Sequence, residues 1–178
     1  MKKLLVLSLI AAGASFGTSL KQADIRLQLA VTSVMEFHYL PVGQREATLI
    51  TVDSFGDVVG ARCMEKSNPM LGVGRPYYFN CNHLANVKHL SAREQRAMEV
   101  LIQQARYGEI QYPNPGAISC MAMPTRSDRY TADNGSVLLS TGTHPCGSVV
   151  FNSSRAAIKL VETLNKYERL YSTLHLVD

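Results

Sequence analysis

The sequence predicts an α+β fold: an antiparallel sheet of about five to seven short strands, packed against two amphipathic helices and stapled by two disulfides. Three observations lead there. Short β-branched or alternating stretches are separated by Gly, Pro and Asn clusters. Two segments, at about 92–107 and 155–172, carry an apolar stripe at helical spacing. Four cysteines occur in a chain that begins like an exported precursor.

The beginning bears on the rest. Met1-Lys2-Lys3 is followed by the apolar run Leu4–Ala12 and then by Gly13, Ala14, Ser15 and Gly17. A charged start, a short apolar core and a small-residue exit form a secretory signal peptide. Cleavage is expected after Gly17, with Ala14 as the alternative. Residues 1–17 are then removed, and 18–178 form a single α+β domain. The run is shorter than the about 20 residues that span a bilayer, and no later segment approaches that length. The expected location is the periplasm or the exterior, without membrane insertion after cleavage.

Asp24 to Val34 alternates, with Ile25, Leu27, Leu29 and Val31 on one side and Arg26, Gln28, Ala30 and Thr32 on the other. Period two favours a half-buried strand over the alternative helix. Pro41 and Gly43 end it. Thr48–Asp53 and Asp57–Ala61 are rich in β-branched residues and flank Ser54-Phe55-Gly56. Asp53 can brace that bend, and Gly56 can take positive φ. Residues 66–76 read as a loop and Tyr77–Cys81 as a short strand.

Ser91-Ala92-Arg93-Glu94 is a capping box. Ala97, Met98, Leu101, Ile102 and Ala105 repeat at helical spacing after it, and Gly108 is a stop. Ala117–Met123 is expected to be a strand. Thr125–Gly135 reads as polar and turn-like, with Asp133-Asn134-Gly135 as a hairpin signal. Ser136–Ser140 and Gly147–Phe151 read as strands. Ser153 or Ser154 caps a last helix, whose buried stripe is Ala157, Leu160, Val161, Leu164, Tyr167 and Tyr171. Both halves, about 24–110 and 111–178, run from strands and two cysteines to a serine-capped helix, which suggests two similar units.

Charge excludes one function class. Loss of Lys2 and Lys3 brings Lys+Arg from 18 to 16 against 14 Asp+Glu, a formal +2. No basic stripe suited to nucleic acid appears. An even count of cysteines in an exported chain argues for disulfides. Cys63–Cys81 and Cys120–Cys146 are the preferred pairs, because each is close in sequence.

Cys81, His83, His144 and Cys146 offer the ligand types of a zinc site. Their spacing is tighter than usual, and disulfide formation would consume the sulfurs, so no metal or cofactor is expected. No serine sits in a nucleophile elbow, and no catalytic constellation stands out. A segment leaving Cys120, with Met121, Met123, Arg126, Arg129 and Tyr130, reads as a candidate partner-binding loop, since Arg and Tyr are common interface anchors. The expectation is an exported binding protein whose partner is an unknown protein or small ligand, an inhibitor-like module being one version. The alternatives are a small secreted hydrolase and a structural envelope component.

Overall fold

The computed structural model describes residues 25–34, 44–66, 77–112, 125–144 and 149–174. The signal segment 1–17, the strand expected over 117–123 and the expected Cys120–Cys146 bridge lie outside the described residues. Eight strands and two helices are present: β1 (Ile25–Val34), β2 (Gln44–Asp53), β3 (Asp57–Lys66), β4 (Tyr77–His89), α1 (Ala92–Ala105), β5 (Ile110–Gln111), β6 (Thr125–Ala132), β7 (Val137–His144), β8 (Val150–Asn152) and α2 (Arg155–Leu174). The strands form one antiparallel sheet in the order β4-β3-β2-β1-β6-β7-β8-β5. From the central β1·β6 pair, β1–β4 run outward in one direction and β6–β8 in the other. A helix follows each run.

One side of the sheet meets the helices. Leu27, Leu29 and Val31 of β1 join Ile50, Val52 and Val58 beneath Met98 and Ile102 of α1 and Leu160, Leu164, Tyr167 and Tyr171 of α2. Burial of each such Leu or Ile contributes about 1.5–3 kcal/mol. Both helices lie where the apolar stripes place them. The box at the start of α1 is complete: Glu94 N donates to Ser91 Oγ at 3.3 Å, and Ser91 N donates to Glu94 Oε2 at 2.8 Å. Ser154 Oγ accepts from Ala157 N at 3.1 Å at the start of α2.

The β2–β3 turn is built as its residues dictate. Asp53 Oδ1 accepts from Phe55 N and Asp57 N, both at 2.9 Å. Gly56 takes φ +87°, a left-handed conformation that costs glycine least. Gln95 of α1 then donates to the carbonyls of Phe55 at 3.1 Å and Leu90 at 2.9 Å, which fixes the turn against the helix.

The structure corrects three expectations. The sheet has eight strands, not five to seven. β4 runs for 13 residues, well past the expected end at Cys81. Its ladder to β3 slips at three places, and Asn80 (φ 49°) and His83 (φ 48°) adopt left-handed backbone. Each such bulge reverses which face the following residues meet, which erases the period-two signal. Thr125–Ala132 is a central strand rather than a polar turn. It contributes Tyr130 and Ala132 to the helix side, while Ser127 and Arg129, opposite Thr32 and Ala30, face the side that no described helix covers. The Asp133-Asn134-Gly135 turn is formed as expected, with positive φ at all three residues.

Cys63 and Cys81 are disulfide-bonded across β3 and β4, with Cα atoms 4.0 Å apart.

Candidate functional site

The face of the sheet turned away from the helices carries a second, smaller buried cluster: Ala30, Leu49, Ala61 and Cys63, with Tyr78 and Cys81 packed against it. Alternation sends these side chains opposite to Leu27, Leu29 and Ile50. Register aligns them in rows. Ala30 stands opposite Leu49, and Leu49 opposite Ala61; Thr32 stands opposite Ala47, and Ala47 opposite Cys63. The middle of the face is thus a floor of mainly small side chains, Ala30, Ala47 and Ala61 all being buried. Among the described residues, neither helix contributes to this cluster.

Longer polar side chains lean over that floor. Thr32 Oγ1 donates to Glu65 Oε2 at 2.5 Å, joining β1 to β3. The bond passes over β2 at Ala47, where a methyl leaves room. Tyr78 lies opposite Glu65 on β4. Burial pushes its phenol well above the usual range; the Glu65 carboxylate pushes the same way, and the Arg129 guanidinium opposes them. Arg129 stands on β6, four strand spacings from β4. The Cys63–Cys81 bridge ties the bulged part of β4, close to Tyr78, to β3.

A concavity of about 330 Å³ is lined by Arg26, Asp53, Ser54, Gln95, Arg96, Met98 and Glu99. Its charges are mostly engaged within the fold. Arg26 pairs with Glu99, and that hydrogen bond holds the Glu99 carboxyl below the usual range. Arg26 also stands 3.3 Å from buried Asp133 Oδ1, without an aligned hydrogen bond, and Arg106 pairs with the other oxygen of Asp133. This network joins α1 to β1 and to the β6–β7 turn. Its geometry is that of a strut.

The expected site residues fall in several places. Met121, Met123, Cys120 and Cys146 lie outside the described residues. Arg126 and Arg129 are on strand β6, not on a loop; the Arg126 side chain is outside the described set. Arg129 is on the face turned away from the helices, opposite Ala30. Tyr130 points the other way, is buried, and donates to Asn165 Oδ1 at 2.8 Å. Of the zinc-type set, Cys81 is occupied by its bond to Cys63. His83 accepts from Tyr171 Oη at 2.9 Å through its carbonyl. His144 ends β7, its side chain outside the described set. Among the described residues, no group of three His, Cys, Asp or Glu is placed to hold a metal ion.

Sequence reasoning missed Thr32, Glu65 and Tyr78. The available signal was the small or polar alternate face of β1, but only the register brings Glu65 and Tyr78 to it. Comparison with known proteins yields no matching family model, no similar curated protein and no similar solved structure.

Proposed function

We propose that this chain is an exported, disulfide-stabilised binding protein that holds its ligand on the sheet face turned away from the helices. The observation that carries the reading is the row of small buried residues Ala30, Ala47 and Ala61 on a face to which neither helix contributes among the described residues, with Glu65, Tyr78 and Arg129 on the same face. Sheet faces that pack against the rest of a core fill with large aliphatic residues, as the helix side does here. A face on which charged and polar side chains border small residues supplies the few polar groups that orient a ligand.

Two further facts are compatible with export. A disulfide persists best in oxidising compartments, and Cys63–Cys81 is one. Among the described residues, no helix is long and apolar enough to cross a membrane.

The test is hydrogen-exchange mass spectrometry on the mature chain, with and without a concentrated small-molecule extract of its own compartment. Protection centred on β1, β2, β3 and β6, with α1 and α2 unchanged, supports the reading. Absence of protection, or protection confined to the helices, overturns it.

A further inference from the structure

The cavity between α1 and the β2–β3 turn has Arg26, Arg96, Asp53 and Glu99 on its walls, and the fold pairs only two of these charges with each other. Arg26 and Glu99 are fully used. One Arg26 nitrogen pairs with Glu99 Oε2, and another stands beside Asp133. The remaining Glu99 oxygen accepts from Gln103 Nε2 at 3.2 Å. Gln95, also on the wall, gives its Nε2 to the carbonyls of Phe55 and Leu90, which leaves its Oε1 as an acceptor.

Asp53 and Arg96 remain. Asp53 gives Oδ1 to the backbone of the turn, and among the described residues its Oδ2 carries no bond. Arg96 is exposed on α1, without a hydrogen bond or ion pair among the described residues. The two line the same cavity, yet no ion pair joins them. Their separation is held by the fold: the Gln95 bonds fix the turn to α1, and the Arg26–Glu99 pair fixes α1 to β1.

We infer that this cavity binds a small zwitterion, an amino acid or dipeptide, with its ammonium at Asp53 Oδ2 and Gln95 Oε1 and its carboxylate on the Arg96 guanidinium. A carboxylate and a guanidinium kept apart on one wall system match a ligand that carries both opposite charges, and each contact is a charge-assisted hydrogen bond. The volume of about 330 Å³ lies at the low end of the about 300–1,000 Å³ of ligand pockets, which sets the size of the ligand. Met98 is only 9% exposed, so the cavity selects by charge rather than by an apolar side chain. The site lies on the helix side of the sheet and is independent of the face proposed above.

An NMR titration of the mature chain with alanylalanine, N-acetyl-alanylalanine and alanylalaninamide tests this, because the second probe lacks the ammonium and the third lacks the carboxylate. The dipeptide binds at least tenfold more tightly than either blocked form, the loss expected for one charge-assisted hydrogen bond. Arg96→Gln weakens the dipeptide and the acetylated form by about tenfold and leaves the amide unchanged. Asp53→Asn, which keeps an oxygen for the turn, weakens the dipeptide and the amide and leaves the acetylated form unchanged. Arg93→Gln, one turn earlier on α1 and outside the cavity, changes none of the three.

Equal affinity for the three probes overturns the inference, as does binding of none, or an equal loss of all three in R96Q. Arg96 is exposed, so its variant carries the test where D53N lowers the melting temperature. Saturating both samples of the exchange experiment with alanylalanine keeps this cavity out of that comparison, so each site is judged on its own.

Discussion

Asn152 and Gly108 form a tight joint between the end of α1 and the start of α2, and a double-mutant cycle can measure it. Asn152 is 3% exposed. Its Nδ2 donates to the carbonyl of Ala105, in the last turn of α1, at 2.7 Å. Its Oδ1 accepts from Ser154 N, just before α2, at 3.0 Å. Gly108 passes so close that a Cβ there would lie 1.8 Å from Asn152 Oδ1. Asn152→Ala leaves the Ala105 carbonyl buried without a partner, which costs about 1–3 kcal/mol. The half-buried Ser154 amide adds about 0.5–1 kcal/mol. Gly108→Ala costs a comparable amount, because its methyl can be accommodated only by driving the Asn152 amide out of both bonds.

In the double variant the amide is already gone, and the Gly108 methyl enters the space it vacated. The combined loss should therefore stay close to that of Asn152→Ala alone, about 2 kcal/mol less than the sum of the single losses. Urea unfolding of the four proteins with the disulfide intact and a common m-value gives the four free energies. Additivity within about 0.5 kcal/mol would refute the reasoning, since it would mean that the two residues do not share this space.

Two further outcomes follow from the same packing. Replacing Cys63 and Cys81 with alanine opens a loop with a sequence separation of 18. It should cost about 3 kcal/mol, with faster hydrogen exchange over 77–83 and little change in α1 and α2; a uniform rise along the chain counts against a local staple. The Glu94 carboxyl, bonded to the Lys88 ammonium and then to Ser91, is held at about 2 instead of 4.5. Its folded value lies below the unfolded one, so its stabilisation is complete above about pH 4.5 and is lost as pH falls toward 2. The stability gap between the wild type and Glu94→Gln should be open at pH 7 and close across that window. A gap still present at pH 2 would contradict the linkage.

The helices and the β2–β3 hairpin were legible because their signals are local. Ser91 and Glu94 are three residues apart and bond to each other. Asp53 braces a turn only four residues long. The apolar stripe of α2 needs only a 3.6-residue period to be seen. β1 was legible for a similar reason: its two faces meet different surroundings, and the sequence alternates accordingly. β4 and β6 were not. Bulges at Asn80 and His83 shift the phase of β4. β6 is polar on a face that no described helix covers, so its strand character comes from the ladders that β1 and β7 supply on either side.

The candidate site was hidden for a stronger form of the same reason. Thr32, Glu65, Tyr78 and Arg129 come from four strands, and each alone is an ordinary strand residue. Thr32 and Glu65 are 33 positions apart and bond across an intervening strand. That contact depends on two registers at once, Thr32 with Ala47 and Ala47 with Cys63. A slip of one residue in either ladder would turn one partner to the helix side. The Ala47 methyl is the other requirement, because a longer side chain there would stand between the hydroxyl and the carboxylate. The smallness of Ala47, read along the chain, is an unremarked alanine in a β-rich stretch. Read across the sheet, it is what lets the Thr32 hydroxyl and the Glu65 carboxylate meet.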